Sequence, residues 1–467
     1  TAPNNAFASV RQAVLVAPEN STIKIGSGTF TEITPISLKK GQQIIGGGLR
    51  TTQLKPDVST QNKDFFASNG EVTIEDLTIR DILFNANGNP EVNIASESNF
   101  TSSVAALDDK VGGSVAIGNN KILVGAKNDG SGIGAAFIYN NDSTNEIILT
   151  PSNGIGGDAF GTTVAIADSK CIVAAPNQST FTGSVYVYEL DGTGEVIITA
   201  SDSAISNYFG YDVAAGLNKV VVGTDVEKVY TFNYDGTGQN IITPSDSPDG
   251  FGKSVAIGEN KIVIGAPATN SNTGAVYIYD VDGSNEIKIT ASDATVGDFF
   301  GASVAVGEEK IVVGAYGETG GAGAVYIYEL DGTGEIKVSN PDPVSNDRFG
   351  WDVTTYNERI IASAYQDTTS TGAVYTIFTN GALPEKIVAS NGVTDDDYGF
   401  SVAAGDNKLI VGAPGGVNTK AGKVYSYNFQ GTGSGYAVCY QPGADIQLRS
   451  SYVKNVTILN KGSVTSA

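Results

Sequence analysis

Histidine and methionine are absent from the 467 residues, tryptophan occurs once and cysteine twice. Without histidine the chain lacks the commonest general base near neutral pH and the commonest zinc ligand. A nucleophile elbow and a phosphate-binding glycine loop are missing as well. The cysteines, Cys171 and Cys439, fall in segments assigned below to different structural units. A disulfide between them is therefore not expected, and both read as small buried hydrophobes. Basic residues are scarce: 28 Lys and Arg against 50 Asp and Glu leave a formal charge of −22, a field that repels phosphate backbones and anionic lipid. Nucleic acid is not an expected partner. The acids are spread through turns, the pattern of a solvated surface. No apolar run approaches the ~20 residues of a spanning helix, and no charged-then-apolar leader opens the chain, so membrane insertion is not expected. The first residue is Thr1 rather than methionine, which suggests a processed product or an interior piece of a longer polypeptide.

What the sequence does contain is a repeat. Aromatic-glycine pairs stand at Phe160-Gly161, Phe209-Gly210, Phe251-Gly252, Phe300-Gly301, Phe349-Gly350 and Tyr398-Gly399, with a degenerate first copy at Val111-Gly112. They are spaced by 49, 49, 42, 49, 49 and 49 residues, the short step reflecting trimmed loops at Thr224 to Lys228 and Ser245 to Gly250. Each copy holds four strand-length segments, clearest in Phe251 to Gly258, Lys261 to Pro267, Gly274 to Tyr279 and Glu286 to Thr290. Val276 and Ile278 alternate with Tyr277 and Tyr279, so neither face of the strand is polar, and such a sheet must be sandwiched by its neighbours. Seven copies of four strands predict an all-β, seven-bladed β-propeller over residues 91–435. Asp-Gly pairs at 191, 235, 282 and 331 supply the positive φ of tight hairpins between third and fourth strands. The seventh copy lacks a fourth strand after Lys423 to Tyr427, and Glu91 to Ser96 is expected to complete it and seal the ring.

The flanks have another texture. Residues 6–17 predict a short amphipathic helix with Asn5 as cap. Short apolar segments follow at Thr22 to Ile25, Ile36 to Leu38, Gln43 to Ile45, Val72 to Ile74 and Leu77 to Ile79, and the pattern returns at Asp445 to Leu448 and Val453 to Ile458. These predict the rungs of one right-handed parallel β-helix, residues 1–90 with 436–467, interrupted by the propeller.

The FG pairs, with Gly-Ala-Pro signatures at Ala175-Pro176, Ala266-Pro267 and Ala413-Pro414, resemble the FG-GAP repeats of the integrin α-subunit propeller. Lys127, Asp225, Tyr316 and Tyr365 replace the proline in the other copies. The calcium loop that the resemblance would imply between first and second strands is reduced to Gly258-Glu259-Asn260-Lys261, so calcium is not carried over and no cofactor is implied. The flanks, with Ile23 to Phe30 and Gly46-Gly47-Gly48, resemble pectate-lyase-type β-helices. Repeats such as Leu330 to Val338 are similar to structural proteins of marine tailed phages, especially cyanophages.

Two acidic clusters gather oxygen ligands. Asp280, Asp282 and Glu286 alternate as in a calcium loop, yet the turn needs its Asp-Gly pair in any case; Asp395, Asp396 and Asp397 form the other. The recurring acid two positions before the aromatic (Asp158, Asp249, Asp298, Asp347, Asp396) is expected to bond backbone N–H groups and fix the turn. The position after the FG glycine varies: Thr162, Tyr211, Lys253, Ala302, Trp351 and Phe400. Tyr211, Trp351 and Phe400 are candidate ligand contacts, aromatic rings that stack on sugars near a propeller mouth, against the alternative that they fill gaps between blades. No catalytic residue is identified.

These readings lead to a non-enzymatic virion structural protein: a tail fibre, spike or capsid-decorating appendage, extracellular, whose propeller binds a host surface glycan or protein or another virion protein. A homotrimer is expected by analogy with β-helical fibres. The alternatives are a cell-surface adhesin and a polysaccharide depolymerase acting through β-helix carboxylates.

Overall fold

A computed structural model describes residues 97–429 with their side chains, except 203, 358, 380, 382–384 and 416–419 and the side chains of 368 and 369; beyond that span it describes the backbone of the strands named below. The helix expected over residues 6–17 lies outside the described residues. The chain divides into two compact units, one formed by Ile94–Phe429 and one by Thr1–Asn93 with Gln430–Ala467.

In the first unit each repeat folds as a four-stranded antiparallel sheet in sequential order. Blade 4 shows why. Ser254–Gly258 returns into Lys261–Ala266 through Glu259 and Asn260, both at positive φ (48° and 63°), the twist a two-residue hairpin requires. Ala275–Asp280 then turns into Ile287–Ile289, with Gly283 at φ 85°. The Asp282 carboxylate accepts from the Ser284 N–H and hydroxyl (2.9 and 2.6 Å) and holds the turn.

The sheets form a ring. First strands contact one another in succession, from Ser114–Gly118 of blade 1 to Ser401–Gly405 of blade 7, and the last contacts the first. The first strand is therefore the innermost of each blade. The cores lie between blades: Val263, Val276 and Ile278 pack on Phe300, Val313 and Tyr326 of blade 5. The opposite face of the same sheet, with Ile262, Ile264 and Tyr277, packs on Val221 and Ile242 of blade 3. A blade alone would leave both faces in water, which is why the repeat needs neighbours. Gly274 (φ 91°) pairs with Phe300 of the next blade in a parallel bridge, and a Cβ there would lie 2.1 Å from the Phe300 carbonyl oxygen.

The fourth strand of blade 7 comes from upstream, as expected, but its position is corrected. It is Ile94–Phe100, antiparallel to Lys423–Phe429, with Tyr427 opposite Glu97 and Val424 opposite Phe100. Glu97, not Glu91, matches Glu286. Each accepts from a serine at the preceding blade junction, Ser390 N–H for Glu97 (3.0 Å) and Ser245 N–H for Glu286 (2.9 Å), and from a strand-three tyrosine hydroxyl. Polar Ser98 and Asn99 in the equivalent of Ile287 and Lys288 hide the register in the sequence.

This serine–glutamate–tyrosine tie recurs at Glu146, Glu195 and Glu335. In blade 3 the tyrosine is Phe232 and the acid is Gln239, which accepts from the Ser201 N–H (3.0 Å). In blade 3, where no phenol donates, an amide therefore takes the place of the carboxylate.

In the second unit the described strands form three parallel ladders. Thr22–Lys24, Gln43–Ile45, Val72–Glu75, Ile446–Arg449 and Val464–Ser466 make one; Gly28–Glu32, Thr52–Pro56, Thr78–Ile79 and Tyr452–Val453 the second; Ile36–Leu38, Phe66–Ser68, Tyr436–Tyr440 and Thr457–Leu459 the third. Among the described residues no helix is long and apolar enough to cross a membrane. Cys171 is buried and unpaired, its thiol pushed up to about 12 by burial, while the side chain of Cys439 lies outside the described residues.

Candidate binding site at the mouth of the ring

The FG turn delivers the chain to the start of the innermost strand. Its glycine N–H donates to the residue two positions before the proline site of the Gly-Ala-Pro signature, as in Gly252 to Gly265 O (3.0 Å) and Gly350 to Ser363 O (2.9 Å). Three positions per blade therefore meet at one end of the ring: the residue before the aromatic, the residue after the FG glycine, and the proline site. The residue before the aromatic has positive φ in every blade: Lys110 62°, Ala159 59°, Tyr208 49°, Gly250 78°, Phe299 56°, Arg348 61° and Asp397 54°. This backbone costs a non-glycine residue roughly 1–2 kcal/mol. The preceding acids hold it in place, Asp158, Asp298, Asp347 and Asp396 each accepting from the N–H three residues earlier (2.8, 2.6, 2.8 and 2.8 Å), as does Asp109 in blade 1.

Blades 5 to 7 fill this mouth with an aromatic cluster. Phe299 stacks on Tyr316 (4.9 Å, 12°), Tyr316 lies against Trp351 (5.1 Å), and Trp351 touches Tyr365 (4.7 Å) and Phe400 (5.7 Å). The Trp351 indole N–H donates to the Phe400 carbonyl (3.2 Å). Arg348 sits among the rings, 5.6, 5.4 and 5.5 Å from the centroids of Tyr316, Trp351 and Tyr365, and its Nη1 donates to Tyr365 Oη (2.6 Å). Burial raises the Tyr316 phenol; the Arg348 charge draws it part of the way back, and Tyr211 pushes it up.

Of the three rings singled out in the sequence, Trp351 and Phe400 belong to this cluster and are half-buried, packed on their neighbours while keeping some accessible surface. Tyr211, in blade 3, makes no ring contact with the cluster among the described residues; it is 39% exposed, with Lys253 over its ring at 3.7 Å and Lys253 paired with Asp225. Sequence reading missed Arg348 and Phe299, and noted Tyr316 and Tyr365 only as departures from proline. The signal was available in those departures, two adjacent copies placing tyrosine at one site.

Directly beyond the mouth runs a belt of polar side chains, the second residue after each FG glycine. Each bonds the next blade's backbone: Val164 N–H donates to Ser114 Oγ (3.0 Å), Val255 N–H to Asp212 (2.8 Å), Val353 N–H to Ser303 Oγ (3.0 Å) and Val402 N–H to Asp352 (2.7 Å), while Thr163, Ser254 and Ser401 donate to Gly210, Gly301 and Gly112 carbonyls. Burial pushes Asp212 up to about 7 and Asp352 up to about 6. Both retain some accessible surface.

The acidic candidates are dispersed. Asp280 pairs with Lys261 (2.6 Å), Asp282 caps its own turn, and Glu286 ties Ser245 to Tyr279. Asp396 bonds Val393 N–H and Lys420, and Asp397 is raised by burial; Asp395 has positive φ. Among the described residues no group of three or more carboxylate or cysteine side chains is placed to hold a metal ion.

The architecture is that of a seven-bladed β-propeller with four strands per blade. The chain carries FG-GAP repeats: residues 144–188, 237–279, 284–328, 333–378 and 384–427 match the FG-GAP repeat family. The blade with Val111 for the aromatic lies ahead of the first match, and the blade with the trimmed loop falls in the gap between the first and second. No curated protein matches the chain.

Proposed function

We propose that the propeller is a non-enzymatic recognition module whose mouth binds glycan on a host surface, carried by a structural protein of a virion appendage. The observation that supports the binding reading is the gathering of Phe299, Tyr316, Trp351, Tyr365 and Phe400 at one end of the ring, from positions that near-identical packing elsewhere does not dictate. Aromatic faces with a polar neighbour suit sugar rings. The virion setting rests on the similarity of the Leu330 to Val338 type of repeat to marine phage structural proteins. We further propose that the second unit, residues 1–90 with 436–467, is a right-handed parallel β-helix into which the propeller, 91–435, is inserted; its three parallel ladders support this reading, and trimerisation follows by analogy.

A glycan array tests the binding reading. The full chain is expected to bind a subset of surface glycans, and Trp351→Ala to lose at least about tenfold in affinity, the scale of one stacked ring. Unchanged binding by the variant would remove the mouth as the contact site. Release of reducing ends from host envelope glycans would instead favour a depolymerase.

A further inference from the structure

Charge at the mouth runs against the charge of the chain. The twenty-one positions that converge there, three per blade, hold Lys110, Lys127, Lys253 and Arg348 against Asp225 and Asp397 only, a local excess of two positive charges in a chain of −22. Seven of the twenty-one are aromatic, against 9% in the whole chain.

Among these cations Arg348 is distinctive. Lys253 is neutralised by Asp225, Lys110 lies 3.4 Å from Asp108, and Lys127, held down by burial and by the Lys110 charge, has no ring contact among the described residues. Among the described residues no carboxylate pairs with Arg348, and the hydrogen bond to Tyr365 Oη engages one of its five N–H donors. The rings around it hold the guanidinium by cation–π attraction without satisfying those donors. A planar, weakly hydrated fork of this kind matches a carboxylate or sulfate group.

Resting on the reading of the mouth as a glycan site, we propose that its ligand carries an acidic sugar, with Arg348 receiving the carboxylate or sulfate group while Trp351 and Phe400 stack on the sugar face. Asp397, one of the two acids at these positions, acts electrostatically on Tyr365, and its own charge is countered by Lys110 and Lys420. Asp212 and Asp352, directly beyond, have their carboxyl oxygens on backbone N–H groups. Repulsion from the remaining acids is screened beyond roughly 8 Å at physiological ionic strength, which leaves the contact at Arg348 to decide selectivity.

The test is calorimetric titration of the full chain with galactan oligomers of one length in three forms: neutral, oxidised to uronate, and sulfated. The expected result is binding of an acidic form at least about tenfold tighter than the neutral one. Arg348→Gln should reduce that preference, read as the ratio of the neutral to the acidic dissociation constant, to within about twofold, and Arg348→Lys should keep part of it. Thermal melts of both variants establish that they fold. Equal binding of acidic and neutral forms, or a preference that survives in a folded Arg348→Gln, overturns the acidic-sugar proposal and leaves the glycan site standing. Failure of all three forms at millimolar concentration, together with an empty glycan array, overturns both.

Discussion

Asp212 and Asp352 occupy a position that four other blades fill with serine. Ser114 and Ser303, like the two aspartates, accept the N–H of the next blade, but the acid brings a charge whose burial outweighs the N–H groups that bond it. Unfolded, both groups titrate near 3.9; folded, burial pushes them to about 7 and about 6. The folded chain holds more protons between those values. The stability these groups contribute is therefore fullest below about pH 4 and falls as pH rises through 6 and 7. Asp212→Ser with Asp352→Ser should remove that decline. Urea denaturation is expected to show the variant gaining on the parent between pH 4.5 and 7.5, on the order of 2 kcal/mol, discounted from the full shifts because both side chains retain accessible surface. A constant difference across that range would show that the carboxyls do not titrate as described.

At the scale of elements, closure depends on one strand taken from upstream of the first repeat. Glu97 ties it on both sides, to Ser390 of the junction from blade 6 and to Tyr427 of its own sheet. Glu97→Ala leaves a phenol and a backbone N–H without their acceptor and is expected to cost about 1–3 kcal/mol, read as a fall in melting temperature matched by Glu286→Ala in blade 4. A silent Glu97→Ala would mean that the seam is held elsewhere. The strand also marks the limit of what the sequence discloses. The propeller was legible because the FG pairs recur at fixed spacing and the strands are apolar on both faces. The closing strand was placed several residues early because its apolar partners are replaced by Ser98 and Asn99, leaving Val92 and Ile94 as the stronger hydrophobic signal. The mouth was legible in part: variation after the FG glycine pointed to Trp351 and Phe400. Arg348 was not, since its meeting with Tyr316 and Tyr365 depends on the hydrogen bond that sets each FG glycine against the end of the second strand, a relation between separated segments that no local pattern displays.

Across the whole molecule, repetition gives a rigid ring and variation at a few positions gives it one distinctive end. The paired cores, belt and serine–glutamate ties all join neighbouring blades, so the mouth positions are free to differ without endangering the fold. The chain's single tryptophan is Trp351, inside the aromatic cluster. Intrinsic tryptophan fluorescence thus reports on the candidate site alone. Titrating the full chain with oligosaccharides that bind it is expected to give a saturable change in Trp351 emission, with a midpoint equal to the dissociation constant from calorimetry. Tight binding with unchanged Trp351 emission would place the ligand elsewhere on the protein and contradict the account.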